Sequence, residues 1–151
     1  MTFKLKALLV AVLTTGAFSV SAELRPFEDY DISDAVWQIS TIKVASNATD
    51  HYLAGLKATW VRGQEAAKKL GHIEDYAIYT SITGESGDFN LMLVTKFSNL
   101  AATGPSKARL DALIKELGES TFEESNKRAL ETYPELREIT GDYIMHEITI
   151  K

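Results

Sequence analysis

The sequence predicts an α+β domain in which a four-stranded antiparallel sheet carries helices on one face. Three observations support this prediction. Apolar residues alternate with a period of two in four segments, they recur every three or four residues in the two stretches that separate strands, and turn-forming residues divide the segments. The predicted order is β-α-β-β-α-β, which is the order of the ferredoxin-like unit.

The first strand and first helix have the strongest patterns. Val36–Val44 is rich in β-branched residues and is predicted to be a strand. The turn-like run ASNATD follows, and one long helix is predicted from about Thr49 to Leu70, ending before Gly71. Apolar or small residues repeat along one face of this helix: Leu53, Leu56, Trp60, Gly63, Ala67 and Leu70.

Two further alternating segments predict a β-hairpin. The first runs from Tyr76 to Ile82 and the second from Phe89 to Phe97, and the run TGESGD between them supplies a glycine-bearing turn.

The second helix is predicted to be split into two pieces. Gly118 interrupts the helical pattern, Ser120 and Glu123 resemble a capping box for the second piece, and Pro134 is predicted to end it. From about Leu136 the chain returns to strand.

Both faces of the predicted sheet are apolar, although a sheet covered by helices on one side usually has a polar second face. Within each strand, apolar residues lie on both sides: Val36 and Ile42 opposite Trp37 and Ile39 in the first, Phe89, Leu91, Leu93 and Phe97 opposite Met92 and Val94 in the third, and Ile144, Ile148 and Ile150 opposite Tyr143 and Met145 in the fourth. Two copies packed sheet to sheet would cover the second face, so a homodimer is predicted. The alternative is a monomer with a mixed second face, since exposed apolar residues are common.

The N-terminus has the pattern of a signal peptide. Two lysines precede the apolar run 7–13, and small residues lead to a predicted cleavage after Ala22. The run is short for a membrane span, and an uncleaved anchor is the alternative. We therefore predict a signal peptide at 1–22, a polar leader at 23–34 and one domain at 35–151, in a protein exported to the periplasm or secreted, with no membrane association after cleavage.

Composition excludes several classes of function. The 151 residues carry a formal net charge of −5, and loss of the two signal-peptide lysines would make it −7. An acidic chain without a basic stripe is a poor candidate for nucleic-acid or anionic-lipid binding. The sequence has no cysteine, so disulfides and thiolate metal sites are excluded.

The predicted order and three segments together resemble the dimeric α+β barrel superfamily. The segments are LKATWVRGQEAAKKLG, YAIYTSITGESGDFNLMLVTKF and LREITGDYIMHEITIK, and the resemblance covers about Val36 to Lys151. It implies a dimer whose sheets close a barrel, with a cleft between helices and sheet in each subunit. Relatives include haem-degrading monooxygenases, cofactor-free quinol-forming monooxygenases, small-molecule isomerases and proteins without known activity, and fold alone selects none of them.

No cofactor and no metal are predicted. Haem binders of this superfamily use a histidine on the second helix, but 106–132 contains none, and Asn126 and Tyr133 are the nearest polar candidates. No two histidines are four residues apart on a helix, as a metal site would favour. Some cofactor-free oxygenases of the superfamily use an asparagine, a tryptophan and a histidine, for which Asn47, Trp60 and His146 are unaligned counterparts.

The candidate site residues are His146, Trp60 and Tyr143. Alternation places His146 on the face of Ile144 and Ile148, directed inward, where it could act as a general base or as a polar ligand contact. Trp60 and Tyr143 are the aromatic ligand-binding candidates. Each has a structural alternative: core packing for Trp60, a barrel or rim position for Tyr143, and a hydrogen-bonded sheet histidine for His146. For Asn47 the alternative is a helix cap or turn.

Three functions remain open from the sequence. The first is binding of a small hydrophobic or aromatic molecule in an apolar cleft. The second is a cofactor-free monooxygenase or isomerase-like enzyme with His146 as its base. The third is a structural or interaction dimer whose cleft is filled.

Overall fold

The computed structural model describes residues 23–82 and 87–151. Its elements in chain order are β1 (Tyr30–Val44), α1 (Thr49–Ala58), α2 (Trp60–Lys69), β2 (Asp75–Thr80), β3 (Leu91–Phe97), a 3₁₀ turn (Leu100–Thr103), α3 (Lys107–Leu117), α4 (Glu119–Glu131), α5 (Tyr133–Leu136) and β4 (Arg137–Ile150). The predicted β-α-β-β-α-β order is confirmed. The predicted signal peptide and residues 83–86 of the hairpin turn lie outside the described residues.

No helix within 23–82 and 87–151 combines the length and apolarity needed to cross a membrane.

The four strands form one antiparallel sheet in the order β2-β3-β1-β4. Ile39 on β1 pairs with Val94 on β3 and with Tyr143 on β4, and the neighbouring Gln38 pairs with Thr95 and Ile144. Because directly paired residues point to the same face, the register confirms the two apolar faces that alternation predicted.

The first strand begins at Tyr30, six residues before the predicted start at Val36. The second half of the segment predicted as a polar leader therefore belongs to β1. Its strand conformation depends on β4, because Tyr30 pairs with Ile150 and Ile32 with Ile148. Pairing with residues more than a hundred positions away stabilises a strand that its own polar sequence does not predict.

The core lies between the sheet and the helices. Its fully buried cluster consists of Ile42, Val44, Tyr52, Leu56, Leu91 and Tyr133. These residues come from β1, α1, β3 and α5, and each large side chain buried in this way contributes about 1.5–3 kcal/mol. Tyr133 thus connects the end of the second helical region to α1.

The long helix predicted from about Thr49 to Leu70 is present as two pieces, α1 and α2, with a bend at Thr59 that the sequence pattern did not predict. Thr59 has φ −122° and ψ −83°. Its hydroxyl is 3.1 Å from the Gly55 carbonyl oxygen one turn earlier and 2.5 Å from the Tyr133 hydroxyl. A threonine hydroxyl that bonds the i−4 carbonyl favours a bend, and the contact with Tyr133 fixes its direction. The bend turns α2 along the sheet.

The second helical region is broken at Gly118, as predicted. Gly118 has φ +84°, a conformation that favours glycine, and separates α3 from α4. Two details of the prediction are wrong. Gly118, not Ser120, is the N-cap of α4, so Ser120 and Glu123 do not form its capping box. Pro134 begins a further turn, α5, because proline is tolerated in the first turn of a helix.

Candidate functional site: two clefts between helices and sheet

The space between the helices and the sheet contains two adjoining cavities. The inner cleft has a volume of about 280 Å³ and is lined by residues from α1, α2, β3, α3, α4 and α5 and by Arg137 of β4. The outer cleft, of about 390 Å³, is lined by residues from β1, α2, β3, the 3₁₀ turn and α3. Trp60, Gly63 and Leu113 line both cavities, so they form the boundary between the two.

Most of the inner cleft is apolar. The hydrocarbon side chains that line it are Leu56, Leu93, Leu113, Leu117, Phe122 and Ala129. Leu113 and Leu117 are four residues apart on α3, and Phe122 and Ala129 are seven apart on α4, so each pair lies on one face of its helix. The polar side chains of Ser125 and Asn126 on α4 also line it. The cavity thus suits a small molecule with a mainly apolar body.

One end of the inner cleft is a polar cluster formed by Tyr52, Thr59, Tyr133 and Arg137. The rings of Tyr52 and Tyr133 meet edge to face, with centroids 5.2 Å apart and an interplanar angle of 79°. Tyr133 also shares the short hydrogen bond with Thr59. Tyr52 is only 1% exposed, so this cluster is deep in the protomer.

Gly55 makes the position of Tyr133 possible. A Cβ atom added at Gly55 would lie 3.0 Å from a ring carbon of Tyr133 and 3.2 Å from its hydroxyl oxygen. The missing side chain allows the Tyr133 ring to pack directly against the α1 backbone. The hydroxyl of Tyr133 therefore reaches Thr59 in the next turn.

The Tyr52 phenol stays neutral under ordinary conditions. Removal from water raises its pKa above the usual value of 10.0, and the charge and hydrogen bonding of the nearby Arg137 guanidinium oppose that rise without cancelling it. A neutral phenol donates its proton in a hydrogen bond. Tyr52 and Arg137 are thus two neighbouring donors.

Arg137 has the least satisfied side chain of the cluster. Its Nε atom is buried and makes no hydrogen bond, and the guanidinium carbon lies 5.9 Å from the centre of the Tyr133 ring. None of the ion pairs between described residues includes Arg137. Buried donors of this kind normally have a partner, so Arg137 can donate to a molecule in the cleft.

The charged side chain of the outer cleft, Arg109, is bonded to the protein itself. Arg109 on α3 donates to the carbonyl oxygen of Ala102 at 2.7 Å and to that of Gly104. These bonds hold the 3₁₀ turn and the following loop against α3. His72 lines the same cleft, and its backbone N–H bonds to the Ala67 carbonyl at 2.8 Å to close the end of α2.

Trp60 is both a core residue and a cleft residue, the two alternatives that the sequence left open. It packs against the core, meets Tyr76 edge to face at 5.4 Å, and lines both clefts. As the first residue after the bend, it presents its ring to the boundary between the cavities. Trp60 is therefore a cleft residue as well as a core residue.

His146 lies outside both clefts. It pairs with Val36 and shares a face with Ile144, as alternation predicted, and its Nδ1 is 2.8 Å from the Ser33 carbonyl oxygen. The side chain is nonetheless exposed in the protomer, so the expected inward burial is wrong there. The reason is that β4 is the edge strand, so the helices leave its second half uncovered.

Tyr143 lies on the opposite face of the sheet from both clefts. It pairs with Ile39, is 51% exposed, and its ring folds over Gly141, where an added Cβ would meet the phenol oxygen at 2.6 Å. The fold does not bring Trp60, Tyr143 and His146 together into one site.

The sequence analysis did not single out Tyr52, Thr59 or Arg137. A helical signal was present, since Tyr52, Leu56, Thr59 and Gly63 follow gaps of four, three and four on the face that lines the cleft. Arg137 had no comparable signal.

The structure also locates the other polar residues that the sequence analysis considered. Asn126 and Tyr133, the polar candidates of the second helical region, both line the inner cleft. Asn47 is a turn residue with φ +65°, as the structural alternative predicted, and Ala48 is the N-cap of α1. Within the described ranges, no three His, Asp or Glu side chains are grouped to hold a metal ion.

No protein-family model matches the chain, and no curated protein matches it. Several solved structures are similar in fold. A protein from Shewanella oneidensis is 17% identical with a TM-score of 0.51, over 82% of this chain and 100% of that one. A NIPSNAP-family protein of unknown function from Agrobacterium tumefaciens is 14% identical with a TM-score of 0.45, over 78% and 89%. A dimeric protein of unknown function and ferredoxin-like fold from Bacteroides fragilis is 14% identical with a TM-score of 0.40, over 80% and 100%.

Proposed function

We propose that this chain is an exported protein that binds a small apolar or aromatic molecule in the inner cleft. The observation that carries the proposal is the combination of an apolar cavity of about 280 Å³ with a cluster of buried hydroxyl groups and a half-buried guanidinium at one end. Ligand sites commonly join an apolar wall to a few convergent polar groups in cavities of about 300–1,000 Å³. The volume suits a molecule the size of one substituted ring.

The geometry favours binding over the enzyme hypothesis built on His146. A general base must come within hydrogen-bond reach of the proton that it removes. His146 lines neither cleft, and its Nδ1 already contacts the Ser33 carbonyl. A structural dimer with a filled cleft is also disfavoured, because the inner cleft retains measurable volume.

Native mass spectrometry of protein purified from its own host tests the binding proposal. The matched variants are Ala129→Phe, which places a ring in the inner cleft, and Leu130→Phe, which changes a neighbouring side chain that is 77% exposed. Retained ligand should be present in wild type and in L130F and lost in A129F. Equal retention in all three proteins would place the ligand elsewhere. If wild type carries none and the tryptophan fluorescence of a Trp37→Phe variant, which reports Trp60, is unchanged across a panel of aromatic compounds, the proposal is wrong.

Export is part of the proposal and rests on the signal-peptide pattern of 1–22. We expect the protein in the exported fraction of its host, with Glu23 at its N-terminus. Cell fractionation followed by N-terminal sequencing measures both. An intact Met1 in the cytoplasmic fraction would contradict this part.

The open face of the sheet supports a homodimer as the working form. On this face Trp37, Ile39 and Met92 lie between Tyr79 at one edge strand and Tyr143 and Met145 at the other, with the buried Val94 beneath. Tyr79, Tyr143 and Met145 are about half exposed. Lys96 lies over the Trp37 ring on the same face, and exposed apolar patches with such polar neighbours mark interaction sites in many proteins. A second copy presents the same surface, so the contact would be self-complementary.

Light scattering of two variants tests the dimer. Met145→Lys places a charge in the open face, whereas Leu130→Lys places the same charge on an exposed site of α4. We expect wild type and L130K to have twice the protomer mass at micromolar concentration and M145K to be largely monomeric. A wild-type mass of one protomer would contradict the dimer proposal and would leave the binding proposal unaffected.

A further inference from the structure

We infer that the ligand of the inner cleft carries a single negative charge, in the form of a carboxylate, that pairs with the Arg137 guanidinium beside Tyr52. The inference rests on the proposed function, since it names the chemical class that the same cleft accepts. The apolar body of the ligand would lie against the leucine and phenylalanine side chains of α3 and α4.

The first support is the uncompensated charge of Arg137. Among the described residues that line the inner cleft, Arg137 alone is charged, and no carboxylate of these residues pairs with it. Its Nε is buried without a hydrogen bond. Arg137 as a whole is half-buried, and a charge partly removed from water is stabilised by an opposite charge or by several acceptors. An anionic ligand supplies that compensation.

The second support is that Arg137 and Tyr52 still have donors for a ligand after bonding each other. The guanidinium donates to the Tyr52 oxygen and has further N–H groups, and the Tyr52 phenol, held neutral by burial, keeps its own O–H. The Tyr133 hydroxyl is already bonded to Thr59. A planar carboxylate accepts two parallel bonds from a guanidinium and still has lone pairs for a phenol.

The third support is the contrast with Arg109 in the same layer of the protein. The Arg109 guanidinium bonds to two loop carbonyl oxygens, of Ala102 and Gly104. The sequence thus places one arginine where backbone acceptors satisfy it and another where an Nε is left unpaired. The second arrangement is the one that suits an exchangeable partner.

The number of cations limits the class of anion. A phosphate monoester carries a charge close to −2 at neutral pH and is usually bound by more than one cation or by a helix N-terminus. With one arginine and one phenol, the cluster matches a monocarboxylate. The size of the cleft limits the remainder to about one ring or a short alkyl chain.

Phenylacetate and phenylacetamide form a matched pair of probes. They have nearly the same shape, and only the first is charged at neutral pH. Binding of each to the purified protein is measured by calorimetry, and amide NMR shifts locate the contact. The variants are Arg137→Met, Arg137→Lys, and Arg128→Met, which removes a charge from the exposed surface of α4. Circular dichroism checks that each variant is folded. If R137M does not fold, R137K is used in its place for the binding comparison.

We expect wild type to bind phenylacetate at least tenfold more tightly than phenylacetamide, with shifts at α1, α4 and β4. R137M should lose this preference, R137K should keep part of it, and R128M should keep all of it. Equal affinity for the two probes, or a preference that survives in R137M, overturns the carboxylate inference and leaves binding in the cleft intact. Absence of binding by both probes and by neutral aromatic compounds overturns the proposed function and this inference with it.

Discussion

The inner and outer clefts share a wall but use their arginines differently. In the outer cleft, Arg109 donates to loop carbonyl oxygens and holds the 3₁₀ turn against α3. In the inner cleft, Arg137 lies beside the Tyr52 phenol and the Tyr133 ring with a buried Nε that has no partner. The comparison teaches that a polar residue in a cleft indicates binding only when the protein itself leaves it unsatisfied.

The largest expected difference between the clefts is in the free energy of unfolding when Arg109 or Arg137 is replaced. We expect Arg109→Met to lower the free energy of unfolding by about 2–3 kcal/mol, because two charge-assisted hydrogen bonds to the backbone are lost. Arg137→Met should lower it by only about 1 kcal/mol, because the hydrogen bond to the Tyr52 phenol and the contact with the Tyr133 ring are lost while an unpaired Nε donor is removed. Urea unfolding at one protein concentration measures both. Equal losses would remove the distinction between the clefts.

Two threonines provide the next test. Thr59→Val removes the hydroxyl that bonds Tyr133 in the inner cleft, and we expect a loss of about 1–2 kcal/mol because the Tyr133 hydroxyl is then buried without a partner. Thr95→Val is the control, since Thr95 lines the outer cleft on β3 and should tolerate the change to within about 0.5 kcal/mol. A larger effect in T95V than in T59V would contradict the importance of the hydroxyl pair.

Alanine substitution at two glycines of the bent helical region should change the free energy of unfolding in opposite directions. Gly55→Ala places a methyl 3.0 Å from the Tyr133 ring, and overpacking outweighs the gain in helix propensity, for a net loss of about 1 kcal/mol. Gly63→Ala meets no atom within 4 Å and should gain about 0.5–1 kcal/mol. The same methyl narrows the cleft boundary, so G63A should bind ligand more weakly. Thermal unfolding measures the stabilities, and equal signs for the two variants would refute the close packing.

The smallest expected effect is on the ionisation of Tyr52. Burial raises the folded-state pKa of Tyr52, so its contribution to stability is present below pH 10, the ordinary value, and is lost as the pH rises through the folded-state value. Arg137→Met should raise the pKa of Tyr52 further, because the guanidinium charge lowers it. Phenolate absorbance during an alkaline titration measures the change, with Tyr52→Phe identifying the Tyr52 signal. A lower pKa in R137M would show that the guanidinium does not act on Tyr52.

Part of the site was visible in the sequence. The apolar helical stripe predicted that Trp60 faces the core, and the structure also places it at the boundary of both clefts. His146 and Tyr143 were chosen as candidates because they are polar residues among apolar strand residues. His146 lies outside the clefts because β4 is an edge strand, and Tyr143 does so because it points to the opposite face of the sheet. Arg137 was not found, because nothing within its neighbouring sequence reports that Tyr52 and Tyr133 surround it.

The sequence by itself determined the order of the elements, the break at Gly118 and the two apolar faces of the sheet. These depend on periodicity and on backbone preferences, which act within a few residues. Only the tertiary structure decided the early start of β1, the bend at Thr59 and the polar end of the inner cleft. Each of these depends on contacts between distant segments, such as the bond between Thr59 and Tyr133, 74 positions apart. Local pattern carries no information about which distant polar groups meet, because packing of the whole chain selects them.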